Sequence, residues 1–125
     1  MFRFDRFKVF LYYKELERAK HFYRDTLGLP EYKESEHVWQ YMVTPDSYIG
    51  LVADGHGYLP ASEDKPVMPA IHLAPEEDIE EFFTYLKTNG VKMLDEEVRS
   101  FSSTAKVFLI EDPEGYVLEF VQRLE

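Results

Sequence analysis

The side chains that could carry chemistry in this chain are few and widely separated. Glu119 is the only charged residue in the apolar segment Tyr116–Gln122, and His72 lies in the short apolar segment Pro69–Ala74. A carboxylate and an imidazole are common metal ligands, and both also bind organic ligands by hydrogen bonds. Because divalent ions in proteins need more donors than these two, the pair alone is a poor metal site.

Other reactive residue types occur in segments that are typical of solvated structure. The four histidines are scattered, with no pair at the i, i+4 spacing of a helical zinc site. The acidic runs Glu76–Asp78 and Asp95–Glu97 suit a helix start and a turn, and Ser100–Thr104 contains no Gly-x-Ser-x-Gly elbow. The absence of cysteine excludes disulfides, zinc–thiolate sites and thiol nucleophiles.

Length and charge restrict the class of protein. A chain of 125 residues predicts a single domain with one real core, and the formal charge of −10 argues against nucleic acid as a partner. The acidic balance fits simple solubility or attraction of a cationic ligand. We expect no membrane span and, since the first residues lack a signal-peptide pattern, a cytoplasmic protein.

The first half predicts a strand, a helix and a hairpin. Phe7–Tyr13 is a β-rich apolar run. The helix that follows has apolar residues at three-to-four-residue spacing and ends at Gly28. His37–Val43 and Tyr48–Val52 favour strands, with a turn between them.

The second half repeats this order. Pro69–Ala74 is a short strand, Pro75–Asp78 opens a helix that ends at Asn89-Gly90, and strands follow. The predicted strands are Val91–Val98, which is weak, Ala105–Ile110 and Tyr116–Gln122. We therefore predict an α+β fold of two βαβββ modules, at about residues 5–53 and 69–125, joined by a linker at about 54–68.

The order of elements resembles the vicinal oxygen chelate superfamily, which includes glyoxalase I, extradiol dioxygenases and bleomycin-resistance proteins. The motifs that carry this resemblance are the helix Glu15–Leu29 and the closing hairpin Glu111–Phe120. It implies that the strands form a half-open barrel with the helices outside and the ligand in the concave face. It also implies a homodimer.

The enzymes of this superfamily hold a divalent metal at four strand positions, and the resemblance puts these on Lys8, Gly50, Ala70 and Glu119. Only Glu119 has a lone pair available in its usual state. His72 lies two residues from one of the places and could join it. We therefore predict no complete metal site and no cofactor.

Alternation of side chains along the strands predicts which residues face the pocket. Five residues form the predicted ligand-binding set: Lys8, Phe10, Tyr12, His72 and Glu119. Trp39 or Tyr41 would add further aromatic faces. Lys8 and Glu119 either form an ion pair where the metal would lie, or Lys8 points to solvent. The aromatic residues either bind the ligand or fill the interior and a dimer interface.

Three functions remain open at this point. The first is binding of a small molecule without a metal, as in bleomycin-resistance proteins. The second is a metal-dependent lyase, isomerase or dioxygenase, and the third is a non-catalytic dimeric regulatory domain. The sequence does not identify the ligand.

Overall fold

The computed structural model describes residues 1–35 and 37–124, without the side chains of Lys33 and Glu34. The chain divides into two compact units, Met1–Glu63 and Asp64–Glu125. Each unit contains one sheet and one helical segment. None of the helices in the described ranges has the length and apolar character needed to cross a bilayer.

The first unit contains a four-stranded mixed sheet. Its strands are β1 (Phe7–Tyr13), β2 (Glu31–Glu34), β3 (Val38–Thr44) and β4 (Ser47–Ala53). Their order is β1-β4-β3-β2, with β1 parallel to β4 and the other pairs antiparallel. Strands β1, β3 and β4 were predicted. Strand β2 completes the predicted βαβββ order, but no segment had been assigned to it, because its sequence Glu-Tyr-Lys-Glu lacks apolar alternation.

A helical segment connects β1 to β2. Helix α1 (Leu16–His21) continues as a π-helical turn, Phe22–Thr26, in which the amide of Leu27 donates to the carbonyl of Phe22 at 2.9 Å. The adjacent side chains of Phe22 and Tyr23 in this turn are both buried. The predicted stop is confirmed at Gly28, whose φ of +71° suits glycine.

The second unit repeats the topology. Its elements are β5 (Ala70–His72), α2 (Ile79–Thr88), β6 (Lys92–Met93), β7 (Arg99–Ser102), β8 (Ala105–Glu111) and β9 (Val117–Arg123). The strand order is β5-β9-β8-β6, β7 also pairs with β8, and β5 is parallel to β9. The weak strand predicted over Val91–Val98 is confined to β6. Part of the polar segment Ser100–Thr104 forms β7 instead.

Helix α2 begins where the acidic run predicted a helix start. The Asp78 carboxylate caps the helix by accepting from the amides of Glu80 and Glu81. Gln122 of β9 also binds this end of the helix: its side-chain oxygen accepts a hydrogen bond from the amide of Ile79 at 3.0 Å. The apolar face of α2 packs on the sheet, where the ring centres of Phe82 and Phe120 are 4.9 Å apart.

In each unit one face of the sheet lies under the helical segment. Leu11 and Tyr13 of β1 are fully buried, and the Tyr13 hydroxyl donates to the hydroxyl of Tyr23 at 3.1 Å. Leu118 and Phe120 are buried in the same way in the second unit. The predicted α+β class is therefore confirmed, and the opposite, helix-free faces are the candidate functional surfaces.

Candidate functional site

Three residues form a row across the helix-free face of the first sheet. Phe10 of β1 is the register partner of Gly50 of β4, and Gly50 is the partner of Gln40 of β3. Because register partners point to the same face, the Phe10 ring and the Gln40 amide lie on either side of a position that has no side chain.

The Phe10 ring occupies the space above Gly50. A Cβ atom on Gly50 would lie 2.5 Å from Cδ1 and 2.6 Å from Cε1 of Phe10, well inside van der Waals contact. Any larger residue at position 50 therefore requires the ring to move. Since Phe10 remains 44% exposed, its ring forms part of an accessible surface.

A cavity of about 350 Å³ opens beside this row. Part of its wall belongs to a buried hydrophobic cluster of Tyr12, Val52 and Ala61, against which Val38 packs. The lining residues are Phe10, Tyr12, Ser35, Val38, Gln40, Val52, His56, Gly57 and Tyr58. This volume and an apolar, aromatic lining with a few polar groups are typical of a small-molecule site.

None of the described lining residues carries a formal charge. Their polar groups include the Ser35 hydroxyl, the Gln40 amide, the His56 imidazole and the phenol hydroxyls of Tyr12 and Tyr58. The His56 ring stacks on that of His37 with ring centres 3.6 Å apart. The Gln40 Oε1 atom is shielded from solvent and has no hydrogen-bond partner among the described residues. This buried acceptor lowers the stability of the protein until it gains a hydrogen bond.

Lys8 has a different environment from the one expected for a pocket residue. Its ammonium lies 5.5 Å from the centre of the Tyr48 ring and 5.6 Å from that of Tyr32. These two rings are 4.4 Å apart, and Arg6 donates to the Tyr32 hydroxyl at 3.1 Å. Lys8 therefore makes cation–π contacts with Tyr32 and Tyr48, and it is not among the described residues that line the cavity.

The second unit has a smaller cavity of about 280 Å³ on its own helix-free face. Its lining includes both of the remaining predicted residues, His72 and Glu119, together with the hydroxyls of Ser102 and Thr104. Glu119 is half-buried beside its register partner Ala70. Within the described part of the second unit, its carboxylate makes no hydrogen bond or ion pair.

Trp39 and Tyr41 do not face the pocket, contrary to prediction. Both alternate with Gln40 along β3 and so point to the opposite face. The Lys20 ammonium lies 3.4 Å from the centre of the Trp39 ring, and Tyr41 is completely buried. The residues of this strand that line the cavity are Val38 and Gln40, which the sequence analysis missed. Alternation along β3, applied as on β1, could have identified them.

The residues at the four places where the resemblance predicts metal ligands do not fit a metal. Three of them (Lys8, Gly50 and Ala70) offer no side-chain lone pair, and the Phe10 ring blocks any side chain on Gly50. The described residues contain no group of three or more His, Cys, Asp or Glu side chains arranged to hold an ion. Glu119 is the remaining donor among the four places, and together with His72, which lines the same cavity, it makes only two.

The five predicted site residues are distributed over the two units. Phe10 and Tyr12 line the cavity of the first unit, and His72 and Glu119 that of the second. An ion pair between Lys8 and Glu119 would join the units, and it stays a prediction. The sequence analysis did not anticipate Ser35, Val38, His56, Gly57 and Tyr58 in the first cavity.

Comparison with solved structures identifies the fold. The chain matches a glyoxalase/bleomycin resistance protein/dioxygenase from Nocardioides with a TM-score of 0.76, 21% identity, and coverage of 100% of this chain and 87% of the other. TioX from Micromonospora sp. ML1 matches with a TM-score of 0.77 and 16% identity, and the match covers 95% of this chain and 98% of the other. Lactoylglutathione lyase from Agrobacterium tumefaciens matches with a TM-score of 0.73 and 15% identity, and the match covers 93% of this chain and 91% of the other. At these identities the likeness concerns the fold alone.

A sequence search of curated proteins gave no match. The family comparison is decisive, because a family model matches residues 3–120, nearly the whole chain. The protein belongs to the glyoxalase/bleomycin resistance protein/dioxygenase superfamily.

Proposed function

We propose that this superfamily member binds a small organic molecule on the helix-free face of its first sheet and does so without a metal ion. One observation carries the proposal: the Phe10 ring lies over Gly50, where the superfamily's enzymes place a metal ligand, and the same ring lines the 350 Å³ cavity. The ring that would exclude a metal-binding side chain at position 50 thus also lines the candidate organic site.

The composition of the cavity supports binding rather than catalysis. Phe10, Tyr12 and Tyr58 offer aromatic surface, while Ser35 and Gln40 offer hydrogen bonds. Among the described lining residues there is no carboxylate, lysine or arginine, and the one imidazole is that of His56.

A thermal-shift screen of aromatic and heterocyclic compounds, run in the presence of EDTA, tests the proposal. A ligand that binds only the folded state raises Tm, by an amount equivalent to about 2.7 kcal/mol at a hundred times its Kd. We expect hits that persist in EDTA. Hits that vanish on chelation, together with a stoichiometric divalent ion in elemental analysis, would instead establish metal-dependent chemistry.

Two variants locate the binding site of any hit. Ser35 is exposed at the cavity lining, so Ser35→Trp should fill the cavity without disturbing the core. Ser100→Trp, on exposed strand β7, is the matched control because Ser100 lines neither cavity. Ligands should be lost from Ser35→Trp and retained by Ser100→Trp. Tyr58→Ala, at a fully exposed position, provides a second test with little risk to folding. A screen without hits, or hits unaffected by Ser35→Trp and Tyr58→Ala, contradicts the proposal.

A further inference from the structure

The chemistry of the first cavity specifies its ligand more closely, and this inference rests on the proposed function. Three aromatic side chains line the cavity: Phe10, Tyr12 and Tyr58. Tyr58 is fully exposed and Phe10 is 44% exposed, so their rings have faces available to a ligand. Exposed rings at the edge of an apolar cavity favour a flat partner, because aromatic groups gain most from stacked or edge contacts.

The charge of the described lining favours an uncharged ligand. None of the nine described lining residues is acidic or basic apart from His56. Transfer of an ion into an apolar cavity without an opposite charge is costly. The described part of the cavity therefore favours an uncharged molecule.

The Gln40 amide supplies the directional contact. Gln40 lines the cavity, and its Oε1 atom is buried without a hydrogen-bond partner among the described residues. An unpartnered buried acceptor destabilises the protein until a ligand satisfies it. A primary amide carries a donor and an acceptor side by side, and rotation about its last bond exchanges them. Its natural complement is a group with an adjacent N–H and C=O.

We propose that the first cavity binds an uncharged planar heterocycle whose ring contains an N–H beside a C=O, and that this edge pairs with the Gln40 amide while the ring contacts Phe10 and Tyr58. The ligand class is thus a cyclic amide fused to, or forming part of, an aromatic ring.

Oxindole and 1-methyloxindole are the matched probes: the methyl group removes the N–H, and because its added volume is the same for the native protein and for Gln40→Leu, comparison of the two proteins isolates the hydrogen bond. Binding is measured by NMR titration, following the signals of Phe10, Tyr58 and His56. Loss of a hydrogen bond that leaves a buried polar group unpaired should weaken binding of the methylated probe by about tenfold or more. Oxindole-5-carboxylate, which is anionic at neutral pH, should bind more weakly than oxindole.

Gln40→Leu tests the role of the amide. In this variant the two oxindoles should bind within about twofold of each other, because the pairing group is gone. The unliganded variant should also melt above the native protein, since it no longer buries an unpaired oxygen. Met42→Leu is the matched control: Met42 lies on the same face of β3, two residues away and outside the cavity lining, so the variant should keep the native preference.

The outcomes separate this inference from the proposed function. If 1-methyloxindole binds the native cavity as tightly as oxindole, or if neither probe binds there, the inference is wrong. It is also wrong if Gln40→Leu keeps the native preference. In each case the proposed function still stands when other compounds bind in EDTA and are lost from Ser35→Trp. Failure of the whole screen would overturn both.

Discussion

Phe10 and Gly50 are register partners on parallel strands, and Cδ1 of Phe10 would lie 2.5 Å from a Cβ atom on Gly50. Gly50 has no positive φ that would require glycine. The ring of its neighbour is therefore the reason that a side chain is excluded here. The position of the Phe10 ring, and with it the shape of the cavity, therefore depends on the absence of a side chain at Gly50.

We expect Gly50→Ala to lower the free energy of unfolding by about 1–2 kcal/mol, because the added methyl forces the Phe10 ring from its place. It should also weaken any ligand of the first cavity. Urea denaturation checks the first effect and ligand titration the second.

A double-mutant cycle provides the control. In the background of Phe10→Ala the same Gly50→Ala change should cost less than about 0.5 kcal/mol, since the methyl then has open space. An equal cost in both backgrounds would show that the backbone, and not Phe10, excludes a side chain at position 50.

The contact between Lys20 and Trp39 gives a second prediction. Lys20 is 7% exposed, its ammonium lies 3.4 Å from the centre of the Trp39 ring, and it pairs with Glu17 at 3.1 Å. Lys20→Met keeps much of the apolar stem and removes the charge. We expect a loss of about 1–2 kcal/mol in stability, because a desolvated cation–π contact disappears.

Fluorescence makes this test specific, since Trp39 is the only tryptophan of the chain. The emission of Trp39 should shift in Lys20→Met and stay unchanged in Lys87→Met, a substitution on the exposed surface of helix α2. Unchanged emission and stability in Lys20→Met would mean that the ring and the ammonium do not interact in solution.

The sequence predicted the elements whose local residue pattern is sufficient to indicate their structure. The apolar run of β1 and the glycine that ends the first helical segment are strong local signals, and both elements lie where they were expected. The π-helical turn depends on burying Phe22 and Tyr23 together, which is a tertiary requirement. Strand β2 depends on pairing with β3, so its charged sequence gave no indication of it.

The candidate site was predicted in part for the same reason. Alternation along β1 and β9 placed Phe10 and Glu119 on the helix-free faces. On β3 the aromatic residues were assigned to the pocket by residue type, whereas alternation puts Gln40 there. The partners of Lys8 include Tyr32 of the unpredicted strand β2, so its cation–π contacts were not foreseeable.

Tyr41 should make stability sensitive to alkaline pH. Burial raises the pKa of its phenol to about 12, with a further contribution from the carboxylate of Glu31. In the unfolded chain the phenol loses its proton near the ordinary value of 10.0. The folded state therefore binds more protons between these two pH values, and stability falls as the pH rises through this window.

We expect Tyr41→Phe to remove this dependence. Between about pH 10 and 12 the native protein should lose up to roughly 2–3 kcal/mol more than the variant. Near neutral pH the variant should be equally stable or slightly more stable, because the Tyr41 hydroxyl is buried without a hydrogen-bond partner among the described residues. Tyr58→Phe, at a fully exposed position, is the control and should follow the native curve. Parallel curves for native protein and Tyr41→Phe would show that Tyr41 titrates normally.

The two corresponding turns of the repeat should differ in their contribution to stability. Asp112 begins the turn before β9 and is 4% exposed, and its Oδ1 accepts from the amides of Glu114 and Tyr116, each at 3.0 Å. Thr44 occupies the equivalent place before β4, where its exposed hydroxyl contacts that of Ser47.

We expect Asp112→Ala to cost about 2–4 kcal/mol, because two amides lose a charged acceptor and the Tyr116 amide is buried. Asp112→Asn keeps an acceptor oxygen and should recover about half of that loss. Thr44→Ala, the matched change in the first unit, should cost less than about 0.5 kcal/mol, since water replaces an exposed hydroxyl contact. Chemical denaturation of the three variants measures these differences. Equal losses in Asp112→Ala and Thr44→Ala would show that turn position, rather than the buried carboxylate, determines the stability of these hairpins.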